Sequence, residues 1–301
     1  MTAALRFDPI RLPPECVKLR QEVRAFLADE IAAGTFDPHK PNREHTDAPE
    51  FSRRVGERGW LGMTWPKKYG GHERTFLERY VVTEEMRVAN APTRRFFVAD
   101  RQSGPVLLKY APEHIKMDIL PRICRGEVCF AIGMSEPNSG SDLFAAKTKA
   151  TKTDGGFLIN GTKIWTSSAH IADYMIAIFR TSPSTKENRR HGLTQFLVDM
   201  KTPGIKVNPI GQITGNSNLT RWCLPTPSCP TIMCSAKSTA PGNRRRASLP
   251  TREADRSGSW RLFMFSTSSS ARLGRNPTCE ARRVSAVWSP SCTRCGACRC
   301  R

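Results

Sequence analysis

The chain has 301 residues, and its 47 Lys and Arg against 27 Asp and Glu give a formal net charge of +20, which alone would favour a nucleic-acid or anionic-surface partner. Residues 218–301 hold 15 of the Lys and Arg, only 3 Asp and Glu and 8 of the 11 Cys, so the first 217 residues are mildly basic, and their few cysteines predict a cytoplasmic location. A secretory signal and a membrane span are not expected, because charge and proline interrupt the N-terminal stretch and no run of 18 apolar residues occurs.

Residues 1–125 are predicted to form a helical domain. Leu19, Val23 and Phe26 recur at helical spacing after Pro14, which the first turn of a helix tolerates, and Gly34 follows as a stop signal. Shorter amphipathic stretches are predicted to be helical at 51–58, 77–90, 105–110 and 114–124.

After Gly126 the apolar pattern changes from helical to strand spacing. Strands are predicted at 128–134, 174–180, 193–200 and 204–210, and the pair Asn160-Gly161 predicts a type I′ hairpin turn between two further alternating segments. Helices followed by strands indicate an α+β chain, with a helical domain at 1–125 and an antiparallel β-barrel-like middle domain at 126–217. Neither a GxGxxG nor a P-loop motif occurs, so a Rossmann or Walker nucleotide site is not predicted.

The segment FAIGMSEPNSGSDL, residues 130–143, carries an apolar strand into a loop rich in hydroxyl groups. The hydroxyls of Ser135, Ser139 and Ser141, together with main-chain N–H groups, could bind the carbonyls of a heterocycle or a phosphate. An ordinary connection between a strand and a turn, with Ser141 or Asp142 as a cap, remains the alternative.

In the segment KIWTSSAHIAD, residues 163–173, a Trp near the end of a strand is followed directly by hydroxyl residues. Trp165 could stack on a flat ring while Thr166 or Ser167 hydrogen-bonds the edge of that ring. The alternative is a core Trp whose N–H is satisfied by a neighbour.

Four segments in this order resemble the acyl-CoA dehydrogenase family, and the resemblance covers nearly all of residues 15–217: GWLGMTWPKKYGG at 59–71, GMSEPNSGSDL at 133–143, GFLINGTKIWTSSAHIAD at 156–173 and HGLTQFLVDMKTPGI at 191–205. The resemblance implies a helical N-terminal domain, a middle β-domain and FAD, with its flavin against the middle domain. It also implies the residues that contact the flavin: Ile132, Gly133, Met134, Ser135, Ser141, Trp165, Thr166 and Ser167. Ser141 would also contact the acyl-CoA, and Ser135 stands where the family usually has Thr, which keeps the hydroxyl.

The family reaction is the α,β-dehydrogenation of an acyl-CoA thioester, in which a carboxylate base removes the α-proton and the β-hydride passes to the flavin. The resemblance places this base in a third, helical domain, so no catalytic residue is assigned in this chain. It further implies an electron-transfer flavoprotein as electron acceptor and a homo- or hetero-oligomer. We therefore expect a truncated, inactive FAD-dependent acyl-CoA dehydrogenase; the alternative is a non-catalytic subunit or fragment that binds flavin or acyl-CoA.

The tail, residues 218–301, lacks helical periodicity where that third domain is expected. If the reading frame is shifted by one base, synonymous codon choices allow residues 222–244 to be read as VVFTDAFVPDDNVLGEVDGAWKQ, which resembles the continuation of the family. This predicts a frameshift close to residues 217–220, natural or from sequencing, and an out-of-frame, disordered and basic tail.

Two features of the tail would otherwise suggest binding sites. Cys292, Cys295 and Cys298 have CxxC spacing, but a second, distant ligand pair is missing, so no metal site is predicted. The segment NRRRASLPTRE is basic but has no interleaved aromatic residues, so no nucleic-acid partner is predicted.

Overall fold

The computed structural model describes residues 11–41, 45, 47–154, 156–185, 187–213, 215, 217, 219–224 and 232–234, all within the compact unit Met1–Leu249. The tail predicted to be disordered lies outside the described residues, apart from 219–224 and 232–234. The CxxC segment and the NRRRASLPTRE segment also lie outside them.

The described residues before Phe130 form six α-helices, which are α1 Pro14–Ala32, α2 Pro49–Glu57, α3 Phe76–Val88, α4 Arg94–Val98, α5 Gly104–Tyr110 and α6 Glu113–Cys124. Five of them occupy stretches that the apolar spacing predicts. The exception is α4, which a π-helical turn at Ala99–Ser103 joins to α5. The π-helical turn departs from the 3.6-residue period, so the spacing does not reveal a helix here.

The helical part has its core between α1, α2 and α3. Leu19, Val23 and Phe26 of α1 are buried, as their spacing predicts, and pack in one cluster with Phe51 of α2. The N-terminus of α3 is fixed by Thr75, whose side chain accepts a hydrogen bond from the Glu78 amide. Burial of one face therefore fixes how these helices pack.

The described residues from Phe130 onward form eight strands, which are β1 Phe130–Gly133, β2 Lys149–Thr153, β3 Gly156–Ser167, β4 Tyr174–Arg180, β5 Leu193–Asp199, β6 Lys206–Ile210, β7 Leu219–Leu224 and β8 Ile232–Cys234. The strand order is β6-β7-β3-β2-β4-β5-β8, and β1 pairs with β4. The predicted α+β class is confirmed. The sheet is mixed rather than wholly antiparallel, because β1 runs parallel to β4 and the β2–β3 hairpin lies between them in sequence.

The predicted hairpin turn at Asn160-Gly161 is wrong, because β3 runs straight through this pair. The first half of β3 pairs with β2 and the second half pairs with β7. Gly161 has φ 149°, and a Cβ at this position would lie 2.6 Å from the Thr148 Oγ1. The glycine therefore serves the close approach of Thr148 at the point where β3 changes partner, and it is not a turn residue.

Strand β7 lies beyond residue 217, where the sequence analysis ends the middle domain. It pairs antiparallel with both β3 and β6. Trp222 on this strand is fully buried and stacks on Phe179 of β4, with ring centroids 5.9 Å apart. Residues 219–224 are thus part of the sheet, although the prediction assigned them to the tail.

Within the ranges that the structure describes, no helix is both long enough and apolar enough to cross a membrane.

Candidate functional site

An open cleft of about 350 Å³ lies between the helical part and the sheet. Strand β1, the loop that follows it and strand β3 provide most of its wall, and α4 with the π-helical turn provides the rest. The lining residues are Val98, Gln102, Ile132, Met134, Ser135, Ile164, Trp165 and Ser167. The volume falls in the range of about 300–1,000 Å³ that is usual for small-molecule sites.

Trp165 is the largest side chain on the cleft and is 56% exposed. The pairing of β3 with β7 shifts register between Lys163 and Thr166, and Trp165 has φ 59° at this irregularity. A positive φ is costly for a bulky residue, so it persists only where surrounding structure imposes it. The β-bulge therefore turns the indole toward the cleft, and the alternative of a core Trp at this position does not hold.

The loop that follows β1 brings Met134 and Ser135 to the same cleft. The Ile164 amide on β3 donates a hydrogen bond to the Ser135 carbonyl oxygen at 2.9 Å. Farther along the loop, Glu136 forms a buried ion pair with Lys163, and the Nζ–Oε1 distance is 2.8 Å. The loop is thus attached to β3 at Ser135 and at Glu136, beside the residues that line the cleft.

Five of the eight predicted flavin contacts meet at the cleft, namely Ile132, Met134, Ser135, Trp165 and Ser167. Gly133, Thr166 and Ser141 do not line it. A Cβ at Gly133 would lie 2.8 Å from the Met175 Sδ on the neighbouring strand β4, so this residue faces the Met175 side chain.

Thr166 and Ser141 lie away from the cleft in different ways. Thr166 is fully buried, and its Oγ1 has no hydrogen-bond partner among the described residues. Ser141 is exposed in the loop, next to Asp142, which forms an ion pair with Arg189 at 2.5 Å. Ser141 could therefore contact only a part of a ligand that extends out of the cleft.

Three residues that line the cleft were not predicted, namely Val98, Gln102 and Ile164. Val98 and Gln102 belong to α4 and the π-helical turn, where the apolar spacing gives no helical signal. Ile164 could have been found, because it lies between Lys163 and Trp165 in a segment already singled out. The helical contribution to the cleft therefore depends on tertiary packing rather than on a local motif.

The chemistry of the cleft suits a flat, partly apolar ring. The Trp165 indole offers a face for stacking, and Ile132, Met134 and Ile164 offer apolar surface. Hydroxyls at Ser135 and Ser167 can hydrogen-bond polar atoms at a ring edge. The isoalloxazine ring of FAD has this combination of an apolar face and polar edge atoms, so the residues present fit it.

A second cavity, in the helical part, is much smaller. It borders Asp100 and Arg101. Its volume of about 20 Å³ has room for about one water molecule. Burial lowers the pKa of Arg101 to about 10. No group of three or more His, Cys, Asp or Glu in the described part of the chain could hold a metal ion.

Comparison with protein families gives two adjoining matches. Residues 13–127 match the model "Acyl-CoA dehydrogenase, N-terminal domain", and residues 131–224 match "Acyl-CoA dehydrogenase, middle domain". The chain is 33% identical over 211 residues to acyl-CoA dehydrogenase FadE26 of Mycobacterium tuberculosis, covering 68% of this chain and 52% of FadE26. It is 32% identical over 198 residues to the mitochondrial isovaleryl-CoA dehydrogenase of Pongo abelii, covering 65% of this chain and 46% of that protein.

Solved structures give the same result. The structure described as the Tcur3481-Tcur3483 steroid ACAD matches with a TM-score of 0.65 and 31% identity, covering 76% of this chain and 57% of the matched chain. The ChsE4-ChsE5 complex from Mycobacterium tuberculosis matches with a TM-score of 0.62 and 27% identity. The chain thus spans about half the length of the proteins it matches.

Proposed function

This chain belongs to the acyl-CoA dehydrogenase family, and we propose that its cleft binds the flavin ring of FAD. The observation that carries the proposal is Trp165, held at φ 59° and 56% exposed on the wall of the cleft. An exposed indole in a strained conformation is unfavourable in the absence of a ligand, so a stacked ring would explain both features.

Different residues of the cleft would bind different parts of the flavin ring. Trp165 would stack on the ring, while the Ser135 and Ser167 hydroxyls bind polar atoms at its edge. Ile132, Ile164 and Val98 would exclude water from the apolar part of the ring. When bound, FAD supplies the group that accepts a hydride from the substrate.

The proposed substrate class is an acyl-CoA thioester, with Ser141 contacting the part that extends out of the cleft. Removal of an α-proton requires a base, and the described residues that line the cleft include no Asp or Glu. We therefore propose that this chain binds FAD but does not by itself complete the α,β-dehydrogenation. The missing base would come from the segment that an unbroken reading frame encodes after residue 217.

The second candidate function is a non-catalytic subunit of a mixed assembly. The described residues that line the cleft include no carboxylate, as a non-catalytic subunit would allow, and the ChsE4-ChsE5 structure is itself described as a complex. An electron-transfer flavoprotein as electron acceptor, a homo- or hetero-oligomer and a cytoplasmic location remain predictions from the sequence.

Titration of the purified chain with FAD, followed by flavin fluorescence and absorbance, tests the proposal. We expect saturable binding that Trp165→Ala weakens by about tenfold, because an aromatic stack contributes on the order of 1 kcal/mol beyond its buried area. Phe76→Ala, at an aromatic residue of α3 that is 46% exposed, is the matched control and should leave binding unchanged. No saturable binding to the parent chain would contradict the proposal.

Addition of an acyl-CoA to the flavin-loaded chain without oxygen tests whether the chain is inactive by itself. Both candidate functions predict bound flavin that stays oxidised. Bleaching of the flavin absorbance would show that the chain reduces its cofactor and would contradict both.

A further inference from the structure

Lys163 is a fully buried charged residue on β3, with no exposed side-chain surface. Its Nζ lies 2.8 Å from the Glu136 Oε1 and 3.1 Å from the Met134 carbonyl oxygen. Both partners belong to the loop after β1, 27 and 29 residues earlier in the chain. One ammonium group therefore holds two points of this loop.

The Glu136 carboxylate accepts hydrogen bonds from three donors. Besides the Lys163 ammonium, its carboxylate accepts hydrogen bonds from the Lys147 amide at 2.6 Å and the Thr148 amide at 3.0 Å. Burying an ion pair is costly, and well-packed apolar side chains of similar volume often stabilise a fold as well or better. Stability alone therefore gives little reason for this pair to stand here, and its position suggests another reason.

The Lys163–Glu136 pair adjoins residues that line the cleft. Met134 and Ser135, which line the cleft, immediately precede Glu136, and the Ser135 carbonyl oxygen accepts a hydrogen bond from the Ile164 amide at 2.9 Å. Trp165 follows Lys163 by two residues and lies within the β-bulge. The same short segment of β3 thus presents the indole and, through Lys163, fixes the loop that carries Met134 and Ser135.

We propose that Lys163 is a positioning residue for the flavin site, which binds the Met134 carbonyl and the Glu136 carboxylate and so fixes the spacing between the Met134–Ser135 loop and Trp165. The proposal rests on the proposed function, because the spacing matters for a ring held between these groups. A site needs its binding groups fixed within about 0.5 Å, which a hydrogen-bonded and buried support provides.

The charges of the pair agree with this role. Burial alone would raise the pKa of the Glu136 carboxyl, but the Lys163 ammonium and the amide donors lower it below its ordinary value. Burial also lowers the pKa of Lys163, and the Glu136 carboxylate opposes that shift. Each group therefore keeps the other charged, and a charged ammonium binds the Met134 carbonyl more strongly than a neutral amine would.

Hydrogen–deuterium exchange on the ligand-free chain tests the positioning directly. In Lys163→Met, we expect the Ile164 amide, which bonds the Ser135 carbonyl, to exchange about tenfold faster, as for the loss of a hydrogen bond to a charged group. Because this variant leaves Glu136 buried without its cation and could fail to fold, Lys163→Met/Glu136→Gln provides a neutral second variant. Lys149→Met, at an exposed lysine of β2, is the matched control.

The amides between β4 and β5 distinguish positioning from general stability. If Lys163 only stabilises the fold, those amides will exchange faster by the same factor as Ile164, which would overturn the proposal. An unchanged Ile164 exchange rate in the double variant would overturn it as well. Both outcomes are readable without any cofactor.

FAD titration of the same variants gives the second readout. We expect the double variant to bind FAD about tenfold more weakly than the parent, with the Lys149→Met control unchanged. If the double variant binds FAD as tightly as the parent does, the positioning role is overturned and the proposed flavin site remains intact. If the parent itself fails to bind FAD, the proposed function fails, and the exchange experiment still decides whether Lys163 positions the loop.

Discussion

Trp222 is a buried residue whose indole N–H lacks a hydrogen-bond partner among the described residues. Its ring stacks on Phe179 at an interplanar angle of 17°, but its Nε1 has no hydrogen-bond partner among the described residues. An unpaired buried donor costs about 1–3 kcal/mol. The apolar part of the side chain therefore fits its site, whereas the indole N–H does not.

We expect Trp222→Phe to change the free energy of unfolding by less than about 1 kcal/mol, because removal of the unpaired donor offsets the contacts that the smaller ring loses. Urea denaturation measures this difference. Phe179→Leu, which removes the ring on the other side of the stack, is the comparison and should destabilise the chain. A loss in Trp222→Phe as large as in Phe179→Leu would show that the indole N–H is satisfied in solution.

His72 gives the fold a sensitivity to acid. Burial, with a smaller contribution from the charge of Arg74, lowers the pKa of His72 below its ordinary 6.5. Protonation then costs more in the folded than in the unfolded chain, so the free energy of unfolding should fall as the pH drops below about 6.5 and stop falling, for this group, below its folded-state pKa.

The measurement compares the free energy of unfolding at pH 7.5 and pH 5.5. His72→Gln should show a smaller decrease than the parent, because the group that resists protonation is gone. His114→Gln, at an exposed histidine of α6, is the control for removing a histidine. An identical decrease in the parent and His72→Gln would contradict the prediction.

The residues of the cleft show what the sequence alone could predict. Five predicted contacts lie on the cleft because they belong to two continuous motifs, one ending β1 and one ending β3. Lys163 carries no comparable signal, since its partners lie 27 and 29 residues earlier and the strand pattern does not fix which loop packs behind it. Contacts between distant segments require the tertiary structure, whereas contacts within a motif do not.

At the scale of elements, helix α3 depends on its N-terminal cap. The Thr75 Oγ1 accepts a hydrogen bond from the Glu78 amide at 3.2 Å, and the Thr75 amide donates to the Glu78 carboxylate at 2.8 Å. Helix α3 also packs against α1, and Glu85 of α3 forms ion pairs with Arg20 and Arg24 of α1. Fraying of the first turn would therefore weaken the packing of α1 and α3.

Thr75→Ala should lower the free energy of unfolding by about 1 kcal/mol, the usual cost of losing a side-chain cap. Thr75→Ser keeps the hydroxyl and should lose much less. Urea denaturation of the two variants and the parent measures the effect. Equal losses in both variants would mean that the cap hydrogen bond is not what stabilises this end of α3.

Among the elements, the failures of prediction have separate physical causes. Asn160-Gly161 has the composition of a hairpin turn, but a close contact with Thr148 and the switch of pairing from β2 to β7 also require a glycine. The same residue type thus satisfies two different needs, and only the pairing partners distinguish them. The π-helical turn at Ala99–Ser103 is missed for the opposite reason, because its geometry has no sequence period of its own.

At the scale of the whole molecule, β7 lies beside the frameshift that the sequence predicts near residues 217–220. The middle-domain match ends at residue 224, and β7 pairs with both β3 and β6 through backbone hydrogen bonds, which do not depend on side-chain identity. If the predicted frameshift is present, this strand keeps its place in the sheet although its side chains were not selected for it. The Trp222 N–H, which has no hydrogen-bond partner among the described residues, agrees with that prediction.

We expect the insertion of one base near codons 217–220 to restore the family sequence. In the shifted frame Trp222, Cys223 and Leu224 are replaced by Val, Val and Phe, which are favourable in strands and carry no polar side-chain group. The continuation, VPDDNVLGEVDGAWKQ, then leads toward the helical segment that we expect to supply the base. Nucleotide sequencing from codon 210 onward provides the first check, because the codons found there will either permit this reading or exclude it.

The restored polypeptide provides the second check. We expect it to bind FAD more tightly than the parent chain and to bleach on addition of an acyl-CoA, because the restored segment contributes further binding surface and the base. A deleted base at the same codons, which opens the third reading frame, is the control and should give neither gain. Codons incompatible with the shifted reading, or a restored chain that binds FAD no better than the parent, would refute the frameshift while leaving the flavin cleft to be judged by the Trp165 variant.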